Sequence, residues 1–232
     1  MIKKVSIGII GAMQPEVESL IGLLKKPKMK NIGGQVFYYG TLDRKSVAIV
    51  KCGIGKVYAA MTAENLILNF APKLIINTGV AGSLRSDLRQ GDIVVASELC
   101  QHDMDTSPLG DPKGFISGAD RIYFSADERA RRLLAVVKNG DYAVHFGAIA
   151  TGDRFVSTEE QKAAIVRDFS ASACEMEGGA IAQVAFTNKI PFCVIRAISD
   201  GADEDARLSY DRFLPIAASR SASLTRELIK KY

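Results

Sequence analysis

Phe192-Cys193-Val194-Ile195-Arg196-Ala197-Ile198-Ser199-Asp200 is an apolar run interrupted by one arginine and closed by a carboxylate. A run of this length, rich in β-branched residues and lacking strict polar alternation, reads as a strand covered on both faces. Similar runs recur outward from it at Val5 to Gly11, Val47 to Gly53, Leu74 to Gly79, Ile93 to Ser97 and Val144 to Thr151, each ending in glycine or a small polar residue. Between them lie helical patterns. Pro15 with Glu16 and Glu18, followed by Val17, Leu20, Ile21 and Leu24 on one side, marks a helix start. Lys56 to Asn69, Asp127 to Asn139, Ala180 to Phe186 and Arg212 to Lys231 are expected helices, and Ser157-Thr158-Glu159-Glu160 is a capping box opening another before Ala163 to Val166. Strands alternating with helices predict one α/β sheet with helices on its faces.

The chain has 232 residues, 47% apolar and 24% charged, enough for a sizeable core. Its 30 Lys and Arg against 26 Asp and Glu leave a net charge of only +4, which excludes an electrostatic nucleic-acid binder. No stretch approaches the roughly 20 apolar residues of a membrane span, and the first apolar run reads as a strand rather than a leader. The four cysteines stand singly in apolar surroundings, as buried thiols in a reducing, cytoplasmic compartment. Only His102 and His145 are present, so metal sites and Ser-His-Asp chemistry have few candidates. The one long irregular segment, Gln101 to Gly118, is of the kind that serves function.

Gly53-Ile54-Gly55-Lys56 invites a phosphate-loop reading. Val50 stands where that motif needs glycine and Val57 where it needs Ser or Thr, so the pattern fails. Gly8 and Gly11 likewise miss the dinucleotide fingerprint and read as close backbone packing at a strand end. Carboxylates carry more information. Glu175-Met176-Glu177 follows an apolar run, Asp200 closes the strand quoted above, and Glu16 lies in the first turn after the first strand. In extended chain Glu175 and Glu177 point to the same face, where they would grip adjacent sugar hydroxyls. Desolvation should raise the pKa of an acid at the mouth of a buried strand, which is what a general acid requires. Phe155, in Gly152-Asp153-Arg154-Phe155-Val156, reads by itself as core and alternatively as a ring to stack on a planar base.

In this order the motifs resemble the nucleoside phosphorylase/nucleosidase superfamily, and most closely its 5′-methylthioadenosine/S-adenosylhomocysteine nucleosidases. The resemblance runs from Ile7 to the last helix. It rests on Ile9-Ile10-Gly11-Ala12-Met13 with Glu16, Gly53-Ile54-Gly55-Lys56-Val57, Asn77-Thr78-Gly79-Val80-Ala81-Gly82, Gly91-Asp92-Ile93-Val94-Val95, Gly152-Asp153-Arg154-Phe155, Glu175-Met176-Glu177 and Arg196-Ala197-Ile198-Ser199-Asp200. It implies a single α/β domain over residues 1–232 with a mixed, twisted, barrel-like central sheet flanked by helices. It also implies a homodimer without metal or organic cofactor, and cleavage of the N-glycosidic bond of adenosine-like nucleosides by water.

By the same resemblance Asp200 is the acid at purine N7, Glu16 the base for water, and Glu177 the holder of the ribose hydroxyls with Met176 beside the sugar. Phe155 is similar to the base-stacking ring, the backbone of Val156 to the group reading the adenine edge, and Arg196 to a residue near the water. Met13, Ile54 and Tyr210 look like walls of the 5′-substituent pocket, and Val80, Ala81, Gly82, Glu175 and Ser199 fall within matching motifs as further binding residues. The sequence departs from the pattern at Val80, where many members have Ser, and in the loop after His102-Asp103. In family dimers that loop closes the partner's pocket, so Thr106 and Leu109 bear on substrate breadth. Gly79-Val80-Ala81-Gly82-Ser83, Gln101-His102-Asp103 and Gly114-Phe115-Ile116 look like the subgroup that also hydrolyses 6-amino-6-deoxyfutalosine in menaquinone biosynthesis. Competing readings are a phosphorolytic enzyme of the same fold, a futalosine hydrolase and a non-catalytic nucleoside-binding module.

Overall fold

All nine residues of the Phe192–Asp200 run are buried, and they form the last strand of the sheet. The computed structural model describes residues 3–137 and 140–232, without the side chains of residues 208 and 209. In chain order the elements are β1 (Ile7–Gly11), α1 (Gln14–Gly22), β2 (Lys25–Ile32), β3 (Gln35–Leu42), β4 (Lys45–Lys51), α2 (Lys56–Phe70), β5 (Leu74–Ser83), β6 (Ile93–Gln101), β7 (Phe124–Ser125), α3 (Glu128–Ala135), β8 (Val144–Thr151), α4 (Glu159–Phe169), β9 (Ala173–Glu175), α5 (Gly178–Thr187), β10 (Phe192–Asp200) and α6 (Ala206–Lys231).

The sheet runs β10-β6-β8-β9-β5-β1-β4-β3-β2, and a further pairing of β10 with β5 closes its first five strands into a ring. β1 lies between β4 and β5 in parallel register, with Ile9 opposite Ile49 and Ile76. β5 and β10 are parallel, placing Gly79 beside Arg196, while β6 runs antiparallel to β10. This is the expected mixed α/β sheet, closed at one end and flanked by helices. One apolar cluster lies between the sheet and α2 and α5, and another between the sheet and α1, α3 and α6. Glycine in β1 has the expected packing role: a Cβ on Gly8 would come within 2.5 Å of Leu66 on α2.

Several boundaries differ from the sequence expectation. The β2–β3 hairpin was not among the expected strands, because Lys25-Lys26-Pro27-Lys28 reads as a charged turn. Its outer strand, β2, is a solvent-facing edge strand, where lysines and an irregular register around Pro27 discourage pairing with another chain. Helix α6 begins at Ala206 rather than Arg212 and continues through Pro215. Helix α3 stops at Ala135, and its expected end at Asn139 lies outside the described residues. At α4 the cap is Thr158, whose hydroxyl accepts from Gln161 N at 3.3 Å. Gln161 rather than Glu160 reaches back, accepting from Ser157 N at 3.1 Å.

Candidate active site

A cavity of about 320 Å³ opens where β1, β5 and β10 end and where the chain leaves β8 and β9. Strand ends are where open α/β sheets place ligands, because their side chains and free backbone groups converge there. The apolar wall contains Met13, Ile54, Val80, Ala81, Gly82, Phe155, Val156, Met176 and Tyr210, and the polar groups are Glu16, Glu175, Glu177, Arg196, Ser199 and Asp200. Ala12, Arg154 and Cys174 also line it, and the sequence did not single them out. Thr106 and Leu109 lie outside this cavity, on or beside a single 3-10 turn, with Leu109 83% exposed.

Glu16 is fixed by the turn that follows β1. Its Oε2 accepts from Ala12 N at 2.7 Å and Met13 N at 2.9 Å, and its Oε1 accepts from Val80 N at 3.1 Å. Only glycine fits beside it at position 79, since a Cβ there would stand 2.5 Å from Glu16 Oε1 and closer still to the Arg196 guanidinium. Burial pushes the Glu16 pKa above the ordinary carboxylate value, against the pull of Arg196 and the backbone amides.

Asp200 closes β10. Its Oδ2 accepts from the Ser199 hydroxyl at 2.7 Å and its Oδ1 from Ala202 N at 3.0 Å. Burial raises its pKa as well, opposed by those two hydrogen bonds. Phe155 is 44% exposed and meets Tyr210 edge-on, with ring centroids 5.7 Å apart. That exposure overturns the core reading of this ring. The Tyr210 hydroxyl in turn reaches Met13 Sδ at 3.1 Å, which joins three parts of the apolar wall.

Glu175 and Glu177 both line the cavity and both reach Arg196 Nη2, as a same-face pair would, but their other partners differ. β9 ends at Glu175, and Glu177 leaves the extended region as the cap residue of α5, with φ −132° and ψ −41°. Glu175 turns inward, where Oε1 accepts from the Thr151 hydroxyl and Oε2 accepts from Glu177 N at 3.0 Å and Gly178 N at 2.7 Å. It also pairs with Arg196 Nη2. Its charge thereby sits at the positive end of α5. Glu177 instead accepts from Gly55 N at 2.9 Å and lies 3.4 Å from Arg196 Nη2. Burial pushes its pKa up to about 7, with Arg196 opposing and Glu175 adding to the shift.

Arg196 is 1% exposed and completes the cluster by donating to Asn77 Oδ1 at 2.5 Å and to Val80 O at 3.4 Å. Asn77 was missed as a site-shaping residue. It is fully buried and also donates to Ile10 O at 3.0 Å, and a buried amide inside an apolar strand is the signal that identifies it.

Among the described residues, no group of three or more His, Cys, Asp and Glu is placed to hold a metal ion. No described helix is long and apolar enough to cross a membrane. The four cysteines are free and buried.

A closed mixed sheet with an acid-lined cavity at its strand ends defines a class, and comparison with known proteins agrees. Residues 6–230 match the model of the phosphorylase superfamily, and the chain belongs to that family. Within it, the chain is 38% identical to a 5′-methylthioadenosine/S-adenosylhomocysteine nucleosidase of Glaesserella parasuis over 97% of this chain and 99% of that protein. It is 39% identical to an aminodeoxyfutalosine nucleosidase of Helicobacter pylori over 96% of this chain and 97% of that protein. Among solved structures it is similar to the 5′-methylthioadenosine/S-adenosylhomocysteine nucleosidase of Neisseria meningitidis in complex with methylthio-immucillin-A. That match has a TM-score of 0.93 and 37% identity, and covers 98% of this chain and 99% of the other.

Proposed function

We propose that this chain hydrolyses the N-glycosidic bond of 5′-substituted adenosines, releasing adenine and the 5′-substituted ribose. The observation that carries the reading is the convergence of Glu16, Glu177 and Asp200 on one largely apolar cavity, all three with pKa values raised by burial. Cleavage develops positive charge on the ribose and negative charge on the leaving base, so it needs an acid at one end and a water-activating base at the other. Asp200 gives its proton to purine N7 as the electron pair of the C1′–N9 bond departs with the base. Water forms the new bond to C1′, and its proton passes to Glu16. Glu177 holds the ribose 2′- and 3′-hydroxyls, and those hydrogen bonds tighten as the sugar becomes cationic. Phe155 and Met176 flank base and sugar, Val156 offers its backbone to the adenine edge, and Met13, Ile54 and Tyr210 enclose the 5′-substituent.

Water rather than phosphate fits as the nucleophile. The N-terminus of α2, the natural place for an anion, already binds the protein's own carboxylates: Gly55 N donates to Glu177 and Lys56 N to Asp153. Arg196, the cation deepest in the cavity, is engaged by Glu175 and Glu177. The likeness to an aminodeoxyfutalosine nucleosidase favours a second substrate with a larger 5′ group.

The chain is proposed to act as one domain over residues 1–232, without metal or organic cofactor, in a reducing cytoplasmic compartment that suits its free thiols. We also propose that it works as a homodimer. Val57, Met61 and Leu68 form an exposed apolar stripe along α2 at 79%, 38% and 58% exposure, suited to a second copy. Dimerisation would bring the 101–118 loop, with Thr106 and Leu109, toward the partner's cavity. Side-by-side assay of adenine release from methylthioadenosine, S-adenosylhomocysteine, 5′-deoxyadenosine and aminodeoxyfutalosine tests the substrate range. Release from none of them overturns the reading.

A further inference from the structure

The Gly53-Ile54-Gly55-Lys56 turn forms part of a network that ties together three strand ends. Gly55 N donates to Glu177 Oε1 at 2.9 Å, and the next amide, Lys56 N, donates to Asp153 Oδ1 at 2.8 Å. Asp103, just beyond β6, bridges the rest: its Oδ1 accepts from Lys56 Nζ at 2.7 Å and its Oδ2 from Asp153 N at 2.9 Å. In the sheet β4 and β8 are separated by β9, β5 and β1, so strand pairing does not join the Gly53–Lys56 turn to the Asp153–Phe155 turn. The carboxylates of Asp103 and Asp153 do. Gly55 has φ +99°, and a Cβ there would stand 3.0 Å from Asp153 Oδ1, so this close approach requires glycine. Partial burial opposes ionisation of Asp103, but Lys56 and the Asp153 amide outweigh it and hold the carboxyl below its usual range.

We infer that Asp103, acting through Lys56 and Asp153, is a positioning residue that holds the ribose-binding Glu177 and the base-stacking Phe155 in register across the cavity mouth. Asp103 and Lys56 do not line the cavity themselves. The chemical groups Glu16 and Asp200 stand on α1 and β10, and their carboxylates take their hydrogen bonds from Ala12, Met13, Val80, Ser199 and Ala202 rather than from Asp103, Lys56 or Asp153. Breaking it therefore loosens substrate binding more than it slows bond cleavage.

The inference rests on the nucleosidase reading. Asp103→Ala is expected to raise KM for methylthioadenosine about tenfold with kcat within about threefold of wild type. It should weaken a non-hydrolysable 7-deaza analogue of methylthioadenosine by the same factor in calorimetry. Lys56→Met should raise KM in the same way, and the double variant should be no worse than the more affected single one, because both changes break one link. Asp103→Asn keeps an acceptor for Asp153 N and should show a smaller effect. It and Lys56→Met carry the test if Asp103→Ala fails to fold by circular dichroism. A fall in kcat at unchanged KM, or additive losses in the double variant, overturns the clasp. So does a lowered melting temperature with KM and analogue affinity unchanged. Wild-type protein that neither binds the analogue nor releases adenine overturns the nucleosidase reading and the clasp with it.

Discussion

Replacing Arg196 with Met tests the electrostatics of the site at its centre. The guanidinium is fully buried and is the cationic partner of both Glu175 and Glu177, with Glu16 held close by in the same cluster. Met keeps much of the side-chain volume but leaves these carboxylates without their counter-charge. Removing one partner of a buried ion pair costs about 3–5 kcal/mol. For a chain of this size each kcal/mol lowers the melting temperature by about 2–4 °C, so the variant should melt roughly 6–20 °C below wild type at pH 8. The loss should shrink at pH 5.5. Burial already lifts Glu16 above its ordinary value and Glu177 to about 7 with Arg196 in place. Without the cation both rise further, so the folded state takes up protons the unfolded chain does not hold, and stability recovers as pH falls. Thermal unfolding by circular dichroism at the two pH values reads both effects. A shift under about 3 °C at pH 8, or the same shift at both pH values, refutes the reasoning.

Asp200→Asn should lower kcat for adenine release at least about 100-fold, the lower end of general-acid catalysis, while circular dichroism shows an unchanged fold. Undiminished turnover removes Asp200 from the mechanism. Glu16→Gln keeps the shape of the side chain but removes the proposed base, so calorimetry should show nucleoside binding without adenine release. The four thiols should resist a disulfide-exchange reagent in the native protein and react on unfolding, since all are buried and burial pushes Cys100 and Cys193 up to about 12. Rapid labelling of the folded protein contradicts that packing.

The strands buried throughout, β1, β5 and β10, were plain in the sequence as apolar runs despite Asn77 in β5 and Arg196 in β10, whereas the first half of β8, expected to be covered on both faces, is partly exposed; β1, β5 and β10 each carry a site residue at or just past their ends. The β2–β3 hairpin was not legible, since its Lys25 to Lys30 stretch faces solvent and gives no apolar pattern to read. Glu16, Glu177 and Asp200 stood out as carboxylates where an apolar strand ends. Glu175 looked equivalent to Glu177 by spacing alone, and both do reach Arg196; only the fold shows that Glu175 is held by Thr151 and the first amides of α5 while Glu177 meets Gly55 N. The Gly53–Lys56 turn was legible as an anion-binding shape. That its anions are Glu177 and Asp153, remote in sequence, follows only from the fold.

Water is the nucleophile in the proposed mechanism. Adenine release from methylthioadenosine, followed in phosphate-free buffer and again with added phosphate, tests it most directly. The expected result is the same rate in both, with a free reducing sugar as the second product. A rate that depends on phosphate, with a ribose 1-phosphate as the product, would contradict it.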